Sequence, residues 1–367
     1  MMEISERKQR HIEICLSEPV ESGDTELGRI RLPHRAMPEI DSAAVSPATD
    51  FLGFRLKLPL LVSSMSGGTP EGYKLNRELA EIAGEEGIAF STGSIRVMLE
   101  HSETLPHFRM KPLAPQVPVL ANIGAAQLLE YPHKTIIDAV KRIEADGIFI
   151  HLNAAQEFFQ HSGDRNFLGW FDAIRRFLDK AEFPVLIKET GCGIAPAEGL
   201  KLLEAGAAYI DIAGSGGTDW VAVETLRKPE ADRAAGNAFR GWGYPTGLLL
   251  LAYRRIAESG GKAGKRVSGR IIASGGLRSP LDFALSLACG AALAAAALPF
   301  IRTARRGEAR RFIAAAGEGI RAALALTGAG TLDKLRAIPL MVPSDLEMRA
   351  IKLTEEIDRL GTSKKPI

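Results

Sequence analysis

The chain has 367 residues, 46% hydrophobic and 25% charged, so it carries enough apolar material for a large buried core. Its 46 basic residues nearly balance 44 acidic ones, and the formal net charge of +2 excludes a general nucleic-acid or membrane-surface binder that works by bulk charge. The three cysteines, Cys15, Cys192 and Cys289, are far apart and form no CxxC pair, which argues against a disulfide framework or a structural zinc site.

Residues 1–57 come first. They open on MMEISERKQRHIEI, which is charged throughout and lacks the apolar core of a signal peptide, so a cytoplasmic location is expected. Eight short apolar runs follow: LPLLVSS (58–64), GIAFSTG (87–93), VPVLANIG (117–124), GIFIHLN (147–153), FPVLIKE (183–189), AAYIDIAG (207–214), RIIASGG (270–276) and ALAAAALPF (292–300). Most are apolar on both faces, as in buried parallel strands. The last is Ala-rich, contains Pro299 and is too short to cross a bilayer. Between most runs lie stretches such as GYKLNRELAEIAGEEG and PAEGLKLLEAGA, with apolar residues at three- and four-residue steps and a closing Gly. Strand and helix alternating eight times predict a (β/α)8 TIM barrel. A doubly wound sheet is the main rival. It would normally show GxGxxG after its first strand, where this chain has MSGGTPEG. The expected organisation is one barrel over 1–345, including the amino-terminal extension 1–57, then a surface helix and tail over 346–367. The long connection 215–269 after the sixth strand holds Trp220, Trp242 and WGYPTG, and is expected to form a lid or an oligomer contact.

Active sites of such barrels lie at the carboxyl ends of the strands. Here those ends are polar or Gly-rich: Ser64-Met65-Ser66, Thr92-Gly93-Ser94, Asn122, His151-Leu152-Asn153, Lys188, Gly214 to Thr218, Ser274-Gly275-Gly276 and Leu298. A full ring of them suggests a large ligand across the mouth. Gly275-Gly276 ahead of a helix suggests a phosphate site between strands seven and eight, though a tight turn alone would also use two glycines. Lys188, inside an apolar run, needs either a ligand or a core carboxylate. In HLNAAQEFFQHSGDRNF (151–167), Glu157 is a candidate oxygen ligand for Mg2+. Arg7, Lys8 and His11, taken by themselves, read as a solvated charged terminus more readily than as a site.

Ten stretches together resemble the type 2, FMN-dependent isopentenyl-diphosphate isomerases: RKxxHIEI (7–14), SMSGG (64–68), GSxR (93–96), ANIGAAQ (121–127), HLNxxQE (151–157), GDRNF (163–167), KETGCG (188–193), GSGGTDW (214–220), WGYPTG (242–247) and ASGGLR (273–278). The resemblance implies a barrel that interconverts isopentenyl and dimethylallyl diphosphate. It implies FMN held by Ser64, Met65, Ser66, Ser94, Asn122, Lys188, Thr218, Gly275, Gly276, Ala297 and Leu298. It places Arg7, Lys8, Ser94, Arg96, His151 and Gln156 on the diphosphate substrate and Glu157 on Mg2+. His151, Asn153, Gln156 and His11 are then the candidates at the reacting end. Reduced FMN, with NADPH as reductant, would act as acid and base, and the protein would be a homotetramer or homo-octamer without nucleic-acid or membrane partners.

The chain departs from the family pattern at Gln9-Arg10, where an acidic pair is usual, at Ile95, where Gln is usual, and at Asp219, where Asn is usual. Two other functions are compatible with a flavin barrel. An α-hydroxy-acid oxidase would carry a His-Gly-Gly base where this chain has Gly214-Ser215-Gly216-Gly217. A catalytically impaired FMN-binding barrel would be signalled by Ile95 and Asp219.

Overall fold

A computed structural model of the protein describes residues 2–64 and 67–362. Eight parallel strands form a closed barrel: β1 (Leu60–Val62), β2 (Ala89–Ser91), β3 (Val119–Gly124), β4 (Gly147–Leu152), β5 (Val185–Glu189), β6 (Tyr209–Asp211), β7 (Ile271–Ala273) and β8 (Leu293–Ala296). They pair in chain order, and β8 returns to β1 through Ala294 beside Leu60. The continuous apolar runs thus become strands buried both from the barrel interior and from the helices outside it; β3 and β5 are buried at every position.

The helices start and stop where the sequence signals them. Thr69 caps the helix Pro70–Glu86 by accepting from Gly72 N–H, Pro70 sits in its first turn, and Gly87 ends it in the left-handed region at φ 66°. Ser279 and Asp282 form a reciprocal capping box on Pro280–Ala288. The connection from β6 to β7 is largely helical, with Trp220–Leu226, Ala234–Ala238, Thr246–Glu258 and Gly261–Val267. The helix Ser344–Thr362 packs on Thr246–Glu258 and Pro196–Glu204 and buries Leu346 and Ala350. Among the described residues no helix is long and apolar enough to cross a membrane.

The amino-terminal extension is structured as well. It opens with helix α1 (Met2–Ser17) and reaches the barrel through an antiparallel hairpin, Thr49–Phe51 with Phe54–Leu56, that the sequence reading did not anticipate. Between them, residues 20–25 run across the loops after β6 and β7. Asp219 N–H donates to Val20 O (2.8 Å), and Ser22 N–H donates to Gly217 O (3.3 Å). The strap lies so close that a Cβ on Gly216 would run into Thr25 N at 2.5 Å, and the two loops lie so close to each other that one on Gly217 would run into Gly276 N at 2.5 Å. Gly275 (φ 96°) and Gly276 (φ 80°) are required in the same packing, because side chains there would collide with Gly214 O and Gly216 O.

Candidate active site

A single cavity opens over the carboxyl ends of the strands beneath α1 and the strap. It is lined by every candidate residue named above except Met65 and Ser66, which lie outside the described residues. The remaining seventeen therefore converge on one site from all sides of the barrel.

The cationic end is built by α1. Arg7, Lys8, His11, Ile12 and Cys15 fall on one face at helical spacing, and that face looks into the cavity. Lys8 Nζ donates to Gly67 O (2.7 Å) and to Ser94 O (3.3 Å). Burial, then the nearby Arg7 and Arg96, outweigh the attraction of Glu100 and bring the Lys8 ammonium down to about 7. Burial also lowers Arg7, which forms no salt bridge with any described residue. Arg96 is better compensated: its Nε donates to Glu100 Oε1 (3.0 Å), while Nη2 lies 3.7 Å from Glu130 Oε2. An Arg-rich cavity wall with one poised amine suits a polyanion such as a diphosphate.

At the end of β4, His151 Nδ1–H donates to Asn122 Oδ1 (2.7 Å). Burial, followed by the charges of Lys188 and Lys8, depresses this imidazole to about 3, so it is neutral at physiological pH and offers Nε2 as an acceptor. The helix Ala154–Phe159 that follows holds Gln156 and Glu157. Asn153 Nδ2 donates to Gln156 Oε1 (3.3 Å) and to Glu157 Oε1 (2.9 Å). Gln156 in turn donates to Glu224 Oε1 at 3.2 Å.

Glu224 was missed in the sequence. Only 1% exposed, it joins Gln156 to Arg227 Nη1 (2.5 Å) and lies 2.9 Å from His11 Nε2. Burial pushes its carboxyl up, but His11, Arg227 and Gln156 together bring it below the usual carboxylate range. Trp220, one turn earlier on the same helix, meets the His11 ring edge-on at 5.3 Å. A glutamate flanked by Val-Ala-Val and Thr-Leu was the available clue, since a solvated helix face would not be so apolar around a charge.

At the end of β5, next to β4, Lys188 is 6% exposed and donates to Glu189 O (2.9 Å). The sheet register sets it beside His151 on one side and Asp211 on the other. Asp211 is fully buried. Ser274 Oγ donates to its Oδ1 (2.5 Å), and its Oδ2 has no partner among the described residues. Burial raises the Asp211 carboxyl, opposed by Lys188 and Ser274. Of the two explanations offered for Lys188, the core carboxylate is present in Asp211, and Lys188 also lines the cavity. Glu189 bends back so that Gly191, Cys192 and Gly193 N–H groups all donate to its Oε2, which fixes the loop that carries Thr190 and Gly191.

The three departures are placed by packing. Ile95 is fully buried in the main core and does not line the cavity; its N–H donates to Asn122 O (2.8 Å). Asp219 caps Trp220–Leu226, accepting from Val221 N–H (2.9 Å) and Ala222 N–H (3.1 Å), while its second oxygen accepts from Gly241 N–H (2.8 Å) and Ser22 Oγ–H. Gln9 turns to Glu13 and Glu71, and Arg10 to Glu13, on the outer side of α1.

No family model matches the chain. Individual relatives do. Isopentenyl-diphosphate delta-isomerase of Methanothrix thermoacetophila is 37% identical over 352 residues, covering 93% of this chain and 94% of its own length. The enzyme of the same name from Chlorobaculum parvum is 38% identical over 349 residues, 92% of this chain and 96% of its own. That of Nostoc sp. is 40% identical over 307 residues, 83% and 85%. Among solved structures, flavocytochrome b2 superimposes with a TM-score of 0.65 at 15% identity, covering 97% of this chain and 89% of its own. The lactate oxidase of Pediococcus acidilactici gives 0.62 at 16%, covering 92% and 94%. At such identity these two share the fold and no more.

Proposed function

Since the chain belongs to the type 2 isopentenyl-diphosphate delta-isomerases, we propose that it interconverts isopentenyl and dimethylallyl diphosphate in the cavity above the barrel mouth, with FMN and Mg2+ bound there. The observation that carries this reading is the meeting, in one cavity, of the α1 cations with the polar strand ends and Lys188.

The residues present fit both groups. Ser64, Asn122, Lys188 and Thr218 offer donors along the cavity wall between β1 and β6, continuous with Gly275, Gly276, Ala297 and Leu298 at the β7–β8 side, where the FMN phosphate would lie. For Mg2+ the fit is of a different kind. No group of three or more His, Cys, Asp or Glu side chains gathers as a metal site among the described residues. Glu157 alone would hold the ion, the rest of its shell coming from diphosphate oxygens and water, a mode that Mg2+ favours.

The reaction adds one proton to the substrate and removes another, with no net oxidation. Reduced FMN, with NADPH as its reductant, would supply the acid and the base for these proton transfers. The chain does the rest. Arg7 and Lys8 clamp the diphosphate through charge-assisted hydrogen bonds, and Arg96 borders it while held by Glu100. The neutral His151 cannot act as a strong acid and serves as an orienting acceptor. Asn153, Gln156 and His11, fixed by Glu157 and Glu224, position the hydrocarbon end. The strap and α1 roof the cavity and keep water out, so that orientation contributes several kcal/mol to lowering the barrier. The exposed Phe239 and Trp242, in tilted contact at 5.2 Å between ring centroids, support the accompanying proposal of a homo-oligomer.

An anaerobic assay with FMN, a reductant and Mg2+ tests the function. Isomerisation with reduced FMN and none with oxidised FMN is the expected result. A protein that retains FMN but does not isomerise when reduced would overturn it.

A further inference from the structure

We infer that the turn Gly163-Asp164 is a positioning device for the Glu157 carboxylate, and that it leaves Oε1 as the oxygen that meets the divalent cation. The inference rests on the reading of Glu157 as the Mg2+ ligand and deepens it.

The chain leaves the helix Ala154–Phe159 at Gln160 and folds straight back over it. Gly163 N–H donates to Gln160 O (3.3 Å), and Gly163 lies so close to the helix that any Cβ would run into Glu157 O. Its φ is not in the left-handed region, so glycine is needed here for close approach and not for backbone freedom. That approach brings the next N–H, of Asp164, to Glu157 Oε2 at 3.0 Å, where Gln160 Nε2 also donates at 3.4 Å. Oε1 receives a single donor, Asn153 Nδ2 at 2.9 Å. A carboxylate has about four acceptor sites, two on each oxygen. Oε2 is thus filled by the protein, while Oε1 keeps one site open on the cavity that Glu157 lines.

The turn is itself pinned. Asp164 Oδ1 accepts from Asn166 N–H (2.9 Å), and Asn166 Oδ1 accepts from Leu168 N–H (3.2 Å), successive Asx turns that hold the Asp164 N–H in place. The Asp164 side chain acts through acceptance, so an amide at that position should serve as well as a carboxylate. Partners of this kind around metal ligands typically contribute 10- to 100-fold to metal affinity.

The test is a titration of the FMN-loaded protein with Mn2+, read by electron paramagnetic resonance in the presence of inorganic diphosphate, so that no turnover is needed. Asp164→Ala should weaken Mn2+ binding about ten-fold or more, Asp164→Asn should stay within about two-fold of the parent, and both should retain FMN and unfold near the parent temperature. Gly163→Ala should weaken Mn2+ at least as much as Asp164→Ala; if it does not fold, the Asp164 pair carries the test. Glu157→Gln reports on the underlying reading. If it leaves Mn2+ binding intact, Glu157 is not the ligand and both ideas fall. If it abolishes binding while Asp164→Ala does not weaken it, only the positioning role falls. Equal losses in Asp164→Ala and Asp164→Asn would assign the effect to charge and overturn the geometric argument.

Discussion

If Lys8 holds the diphosphate as proposed, substrate affinity should depend on pH around the value to which its ammonium is lowered. With its ammonium held near 7 by burial and by Arg7 and Arg96, Lys8 is protonated below that value and loses its charge as the pH rises through it. A bound diphosphate restores the proton, so binding takes up a proton above pH 7 and affinity falls. Taking the bound form as protonated throughout, the dissociation constant scales as one plus ten to the power pH minus seven. Between pH 6.5 and 8.5 that is a weakening of roughly 25-fold, or about 2 kcal/mol. His151 does not contribute, because its imidazole titrates near 3. The measurement is calorimetric binding of isopentenyl diphosphate to the oxidised holoenzyme at constant ionic strength, which keeps screening fixed. Lys8→Met should bind more weakly and show a flat profile over the same range. A flat profile in the parent, or an unchanged slope in Lys8→Met, would refute the reasoning. Since the folded-state value lies below that of an unfolded lysine, the same group makes the unliganded protein more stable as pH rises from about 7 towards 10.

Three further outcomes are expected. Arg7→Ala should raise KM for isopentenyl diphosphate roughly ten-fold or more, as the loss of one charge-assisted hydrogen bond implies, and leave the flavin spectrum unchanged; steady-state kinetics beside the visible spectrum check both. Asp219→Ala should destabilise the protein by about 2 kcal/mol or more in denaturant unfolding, because it removes a helix cap and also the acceptor for Gly241 N–H and Ser22 Oγ–H. Extraction of the chromophore should yield FMN and not FAD, since the cavity follows one phosphate-binding end and the chain has no dinucleotide fingerprint; chromatography of the released flavin decides.

The barrel was legible because each strand is a short run apolar on both faces, and the site was legible wherever a polar residue interrupted such a run at its end. Lys188 is the clearest case. Asp211, in the run AAYIDIAG, gives the same signal, a charge inside an apolar strand, and is fully buried. Glu224 was hidden for the opposite reason: it belongs to a short helix in a long connection, where a glutamate usually meets water. Arg7 and Lys8 could be given roles only by resemblance, since nothing local says that a charged amino-terminal helix folds over a barrel some fifty residues away. Ile95 shows the limit of reading by adjacency. It stands next to Arg96 in sequence, yet at the start of a helix the two side chains diverge, one to the core and one to the cavity. Gly275 and Gly276 suggested a phosphate cradle, and their identity is already demanded by the crossing of three backbone segments.

That crossing also orders events in time. Glu21 on the strap is gripped by Arg278 Nε (2.8 Å) and by Arg302 Nη1 (2.8 Å), the second 281 positions further along the chain. The strap is therefore among the late segments to be seated, since these two partners are not made until β7, β8 and the helix Leu298–Ala304 have been synthesised. Contacts of such long sequence separation form late and slowly. Until they form, the strap lacks the ion pairs that hold it across the loops after β6 and β7.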